Sequence, residues 1–145
     1  MTGRVIRYLI SIFIACIVLI VNCGKKGIDT AEKLANALKN QGVNYQVIEK
    51  VRHKMEFAKI DEAIALKGDS LWIEIFRIEN PKSYNLGVQA VQMRLIVENK
   101  MKVEPEDKIE DAFFKRPFII VIKQEPEKGF TKQVLMNKIF PKTEE

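Results

Sequence analysis

The 145-residue chain has little of what builds a recognisable active site. There is a single histidine, His53, and there are only two cysteines, Cys16 and Cys23, both close to the N-terminus. One histidine without G-x-S-x-G, HExxH or CxxC nearby offers no triad and no zinc set; it reads as a surface-loop residue. Once a leader ending at Cys23 is removed, the exported part holds no cysteine pair, so no internal disulfide can form. There is no glycine-rich phosphate loop and no basic stretch interleaved with aromatics, which argues against nucleotide and nucleic-acid binding. No cofactor or metal is expected from any motif.

Charge of one sign is also scarce. The formal net charge is +5 from 24 basic and 19 acidic residues. Two of the positives, Arg4 and Arg7, lie in the leader, leaving 22 basic against 19 acidic residues beyond it. The two signs are interleaved along the chain, and such a balance does not imply a polyanionic partner. At 47% hydrophobic and 30% charged, the composition is that of a folded domain rather than a disordered one. A remainder of about 120 residues can bury enough surface to fold without staples.

The N-terminus is where the sequence speaks most clearly. Arg4 and Arg7 form a basic start, residues 8–21 (YLISIFIACIVLIV) are almost unbroken apolar, and Asn22, Cys23, Gly24, Lys25 and Lys26 follow. A basic start, an apolar core of about 14 residues and a polar break are the parts of a secretory signal. The core is short for a bilayer span, which takes roughly 20 residues. Arginines ahead of it hold the start in the cytoplasm and send the rest across.

Residues 1–24 resemble a bacterial lipoprotein signal, whose lipobox ends in a cysteine just after the apolar core. The matching stretch is Leu19-Ile20-Val21-Asn22-Cys23. Ile20 suits the aliphatic position three before the cysteine, while Asn22 departs from the small residue that usually precedes it. The resemblance implies that Cys23 carries a diacylglyceryl group on sulfur and becomes the first residue after cleavage. It also implies a lipid-anchored, extracytoplasmic protein of the cell membrane or outer membrane. Gly24 is not the aspartate that retains such proteins in many inner membranes, which favours the outer one where the host has two. Cys16 competes, with Ala15 before it, but cleavage there would leave five apolar residues, 17–21, leading the mature chain. The expected organisation is a signal peptide over 1–22, a lipidated tether over 23–28 and a single domain over 29–141.

Within that domain, Asp29 and Glu32 make a capping-box pattern ahead of the apolar stripe Ala31, Leu34, Ala35 and Leu38, and Gly42 closes the helix. Residues 45–51 read as a strand. Residues 63–66 and 71–78 read as a hairpin around Lys67-Gly68-Asp69-Ser70, with Gly68 supplying a positive φ. In the longer strand Leu71, Ile73 and Ile75 face one way and Trp72, Phe76 and Ile78 the other, with Glu74 among the latter. Asn80 caps a long helix that opens on Pro81 and buries Tyr84, Val88, Val91 and Leu95. Residues 99–116 are charged and show no clear period. The run FIIVI at 118–122 is a buried strand; Pro126 opens a turn, and Phe130, Val134, Leu135 and Ile139 mark a last helix. The order α-β-β-β-α-β-α predicts an α+β fold with one mostly antiparallel sheet and helices packed on one face.

Two further groups stand out. Glu104, Glu106, Asp107, Glu110 and Asp111 form an acidic group, but they lack the alternating aspartates and glycine of a calcium loop. On a helix, residues 107, 110 and 111 would form one solvated face. Phe113-Phe114 beside Lys115-Arg116 is either core or an exposed patch for a partner or a membrane, with core favoured. The leading expectation is a non-enzymatic, membrane-tethered domain that binds an envelope protein or component. The alternatives are an envelope enzyme with an Asp, Glu, Lys or Ser site, and a scaffold for a complex at the membrane.

Overall fold

The computed structural model describes residues 27–51, 58–101 and 108–142. Cys16, Cys23, His53, Glu104, Glu106 and Asp107 lie outside the described residues. In chain order the elements are α1 (Ala31–Asn40), β1 (Val47–Lys50), β2 (Glu62–Lys67), β3 (Trp72–Arg77), α2 (Pro81–Lys100), β4 (Asp111–Lys115), β5 (Phe118–Gln124) and α3 (Phe130–Val134), which continues as π-helix over Leu135–Ile139. The five strands form one sheet in the order β1-β2-β3-β5-β4, and every neighbouring pair is antiparallel. The fold is α+β with a single antiparallel sheet.

Two features differ from the expected order. The charged stretch after α2 contains a strand, β4, which pairs with β5 from Asp111 opposite Ile122 to Lys115 opposite Phe118. The helices also occupy both faces of the sheet rather than one. The alternation of β3 explains why. Ile73 and Ile75 join Leu66, Ile120 and Ile122 beneath α1 and α3, while Phe76 and Ile78 join Ile119, Val121 and Ala112 beneath α2. A strand that is apolar on both sides needs cover on both, and an antiparallel sheet of this kind then becomes the middle of three layers.

Local chemistry sets the ends of the elements. Thr30, not Asp29, is the N-cap of α1: its Oγ1 accepts the Lys33 N–H at 3.2 Å. Asp29 instead pairs with the Lys33 ammonium at 2.5 Å. That hydrogen bond, on an exposed carboxylate, holds Asp29 below the usual carboxylate range. Ile28 already packs against the core, so the chain engages the domain ahead of α1. Gly42 follows α1 with φ +96, a conformation that strains any residue with a Cβ. Gly68 serves a different end from the one expected. Its φ is not positive. A Cβ there would stand 3.1 Å from the Asn44 carbonyl oxygen and 3.5 Å from Leu71 Cβ, so glycine is needed for close approach.

Asn80 and Pro81 begin α2 as expected, with Asn80 Oδ1 accepting the Ser83 N–H at 3.0 Å. Tyr84 and Val91 are buried against β5 and β4, and Val88 and Leu95 are half-buried beside them. Leu34, Leu38, Leu66, Ile75 and Ile120 are fully enclosed on the other side. Each such side chain contributes roughly 1.5–3 kcal/mol by leaving water.

Candidate interaction surface

Helix α2 is apolar on two opposite sides, and only one of them meets the sheet. Counting at 3.6 residues per turn, Tyr84, Val88, Val91 and Leu95 share the inner face. Leu86, Ala90, Met93, Val97 and Met101 recur at intervals of four, three, four and four on the outer face. The outer set is exposed: Met93 is 65% accessible, Met101 64%, Val97 46% and Leu86 37%. Ile96, at 57%, widens the stripe. From Leu86 to Met101 the stripe runs about 22 Å along the helix axis. A contiguous row of this kind differs from the scattered surface leucines that every domain carries.

The polar groups around the stripe are of one sign. Lys82 and Lys100 flank it on one side and Arg94 on the other, all exposed. The single acid in α2, Glu98, is turned inward and only 7% exposed. Its two oxygens are used internally: Oε1 accepts from Arg94 Nε at 2.6 Å and Oε2 from the Ile109 N–H at 2.7 Å. The exposed face of α2 is therefore apolar with a basic border and carries no exposed carboxylate of its own.

The residues singled out in the sequence separate in space. Phe113 and Phe114 are split by the pleat of β4. Phe113 packs toward α3, stacked on Phe140 with ring centroids 6.1 Å apart, and Phe114 packs beneath α2. They do not form a shared exposed patch. Of the acidic group, Asp111 lies on β4 rather than on a helix and pairs with the Lys132 ammonium of α3 at 2.8 Å. Glu110 is exposed just before the strand. Among the described residues, no cluster of histidine, cysteine, aspartate or glutamate is arranged to hold a metal ion.

Two other places combine charge with shape. A groove of about 530 Å³ lies between the start of α1 and strands β1 and β2, lined by the acidic residues Glu32, Asp61 and Glu62 and by Lys50. Glu62 is committed to the fold there: Oε2 accepts the Ala31 N–H at 2.6 Å, capping α1, and Oε1 lies 3.9 Å from Arg77. Asp61 likewise accepts the Glu79 N–H at 2.8 Å. On the α2 side of the sheet, the Trp72 ring lies between two ammonium groups, Lys123 at 4.3 Å and Lys67 at 4.9 Å from its centroid. Lys123 pairs with Glu74 at 3.3 Å, both side chains being buried, and Lys67 with Glu49 at 2.8 Å. Val121 lies opposite Glu74, and strand alternation puts Lys123, two residues further along β5, on the same face; a β-bulge interrupts the register between Trp72 and Ile73.

The outer stripe of α2 escaped the sequence reading because the inner stripe accounted for the helix by itself. The signal was nonetheless present: the same four-three-four count, begun at Leu86, picks out the second row. Among the described residues no helix is long and apolar enough to cross a bilayer. Comparison of the chain with protein-family models, curated proteins and solved structures finds no match.

Proposed function

We propose that this chain is a lipid-anchored, extracytoplasmic domain that works by binding rather than by catalysis. The observation that carries the binding half is the exposed apolar stripe of α2. A helix already supplied with one buried face has no folding reason for a second apolar face, and such a surface earns its place in recognition. The anchoring half rests on the basic start, the apolar stretch at 8–21 and Cys23. Because Ile28 already packs on the core, only Gly24, Lys25, Lys26 and Gly27 separate the proposed lipid from the domain. A tether that short holds the body at the membrane surface.

Two of the three acidic residues that line the groove beside α1 are committed to the fold. The carboxylates of Asp61 and Glu62 accept backbone N–H groups that hold α1 and the start of α2 in position.

The test is the intact mass of the protein recovered from membranes, beside a Cys23→Ala variant. The proposal expects residues 23–145 plus acyl chains, with the variant lacking them. Recovery of the unprocessed 1–145 chain overturns the lipid anchor.

A further inference from the structure

We infer that the outer face of α2 lies on an anionic lipid surface, so that the domain is held flat against the membrane to which it is tethered. The inference rests on the proposed membrane tether and names the partner of the surface described above.

Three observations point to lipid rather than to a second copy of the chain. The first is the border of the stripe. Lys82, Arg94 and Lys100 flank Leu86, Met93 and Val97, and the one acid of the helix is buried and engaged. An apolar row edged by cations is the pattern of a helix lying in the interface of an anionic bilayer. Two such faces brought together would oppose the Lys82 and Lys100 ammonium groups of one copy to those of the other, with no exposed carboxylate on α2 to offset them. The second is the character of the row. Methionine and aliphatic side chains with no exposed aromatic or acidic group adapt to a fluid surface and supply no directional hydrogen bonds.

The third is where the N-terminal segment joins the domain. The Ala31 N–H is held by Glu62, the next residue along from Asp61, and Asp61 holds the Glu79 N–H two residues ahead of Pro81. Lys59 N–H also reaches Ser83 Oγ in the first turn of α2, at 3.3 Å. The chain leading back to Cys23 thus enters at the same end of the sheet as the start of α2, although α1 and α2 lie on opposite faces. Five residues, 23–27, reach at most about 17 Å when extended. The outer surface of a helix stands about 15 Å from the middle of a sheet it packs on, taking a layer spacing near 10 Å and a helix radius near 5 Å. Ile28 packs on the α1 side of the sheet, so the tether has more than this distance to span; it joins the domain at the end where α2 starts and is short enough to keep that end near the membrane.

The experiment uses the full chain reconstituted in vesicles of equal parts phosphatidylglycerol and phosphatidylcholine carrying brominated acyl chains. A tryptophan is added at the stripe by Met93→Trp or at the exposed side of α1 by Asn36→Trp, with the wild-type chain giving the Trp72 baseline. The expected result is several-fold stronger bromolipid quenching of the added tryptophan at 93 than at 36. The difference disappears in the Lys82→Glu/Arg94→Glu/Lys100→Glu variant and in vesicles of phosphatidylcholine alone. Equal quenching at the two positions overturns the inference. So does a blue-shifted emission at 93 without quenching, which means that protein, a second copy or another partner, covers the stripe. The anchor is read separately from the same preparations by intact mass. A chain without acyl groups overturns the lipid anchor, while the contrast between positions 93 and 36 still decides the docking of α2.

Discussion

The carboxylate of Glu98, near the end of α2, accepts the backbone N–H of Ile109 at 2.7 Å and so fastens the helix to the entry of β4. The pair is buried, and Arg94 holds the other oxygen at 2.6 Å. Glu98→Ala leaves the Ile109 N–H enclosed without an acceptor and is expected to lower stability by about 2 kcal/mol. Glu98→Gln keeps an acceptor oxygen and is expected to lose less. Urea unfolding of the three proteins checks the order; an alanine variant as stable as the parent would show that the contact contributes nothing.

The Lys123–Glu74 pair is buried on both sides, and its partners are expected to be strongly coupled. Lys123→Met removes the cation that lies 3.3 Å from the buried Glu74 carboxylate, a loss of about 3 kcal/mol. Adding Glu74→Leu removes the carboxylate as well and is expected to recover part of that loss. A double-mutant cycle measured by denaturant midpoints decides the matter: additive losses would mean that the two groups do not interact.

Tyr84 is buried with its hydroxyl donating to the Phe118 carbonyl at 3.3 Å, and burial pushes its pKa above the usual tyrosine value. The folded state therefore keeps a proton that the unfolded chain loses first. Its contribution is complete below the unfolded pKa of about 10 and is lost as pH rises through the higher folded value. Tyr45 is displaced in the same direction, also by burial. Unfolding free energies measured between neutral pH and pH values above about 10 are expected to fall. The fall should be shallower in Tyr84→Phe; an identical slope in that variant would place the effect elsewhere.

Gly68 separates two explanations of the β2–β3 connection. Its backbone needs no positive φ, but a Cβ would meet the Asn44 carbonyl oxygen at 3.1 Å. Gly68→Ala is expected to cost about 1–2 kcal/mol through crowding. Gly42→Ala should cost a similar amount, about 1–2 kcal/mol, for the different reason that φ is +96 there. Thermal unfolding of both variants, with the local fit at Leu71 followed by side-chain chemical shifts, tells the two causes apart: a Cβ at Gly68 meets Leu71 Cβ at 3.5 Å and one at Gly42 does not, so only Gly68→Ala should move the Leu71 signals.

Much of this architecture depends on neighbours a few residues apart and was legible in the chain itself. The Asn80–Pro81 start, the inner stripe of α2, the β2–β3 hairpin and the FIIVI strand are all settled by capping, by period and by β-branched content. The basic and apolar pattern that ends at Cys23 is local too, and its reading as a leader is an expectation from the sequence alone. What the tertiary structure alone decided involves partners far apart in sequence. β4 is a strand because β5 offers it a ladder, although its own residues, DAFFK, show no strong alternation and its link to β5, Arg116-Pro117, carries neither glycine nor asparagine. Glu62 caps a helix that begins 31 residues earlier, and Glu98 holds a strand entry 11 residues later. The side of the sheet that α2 covers, and hence which of its two apolar stripes is left facing outward, follows from the cover that β3 and β5 need on both faces. Periodicity shows that a helix has apolar faces; only packing decides which of them meets the core.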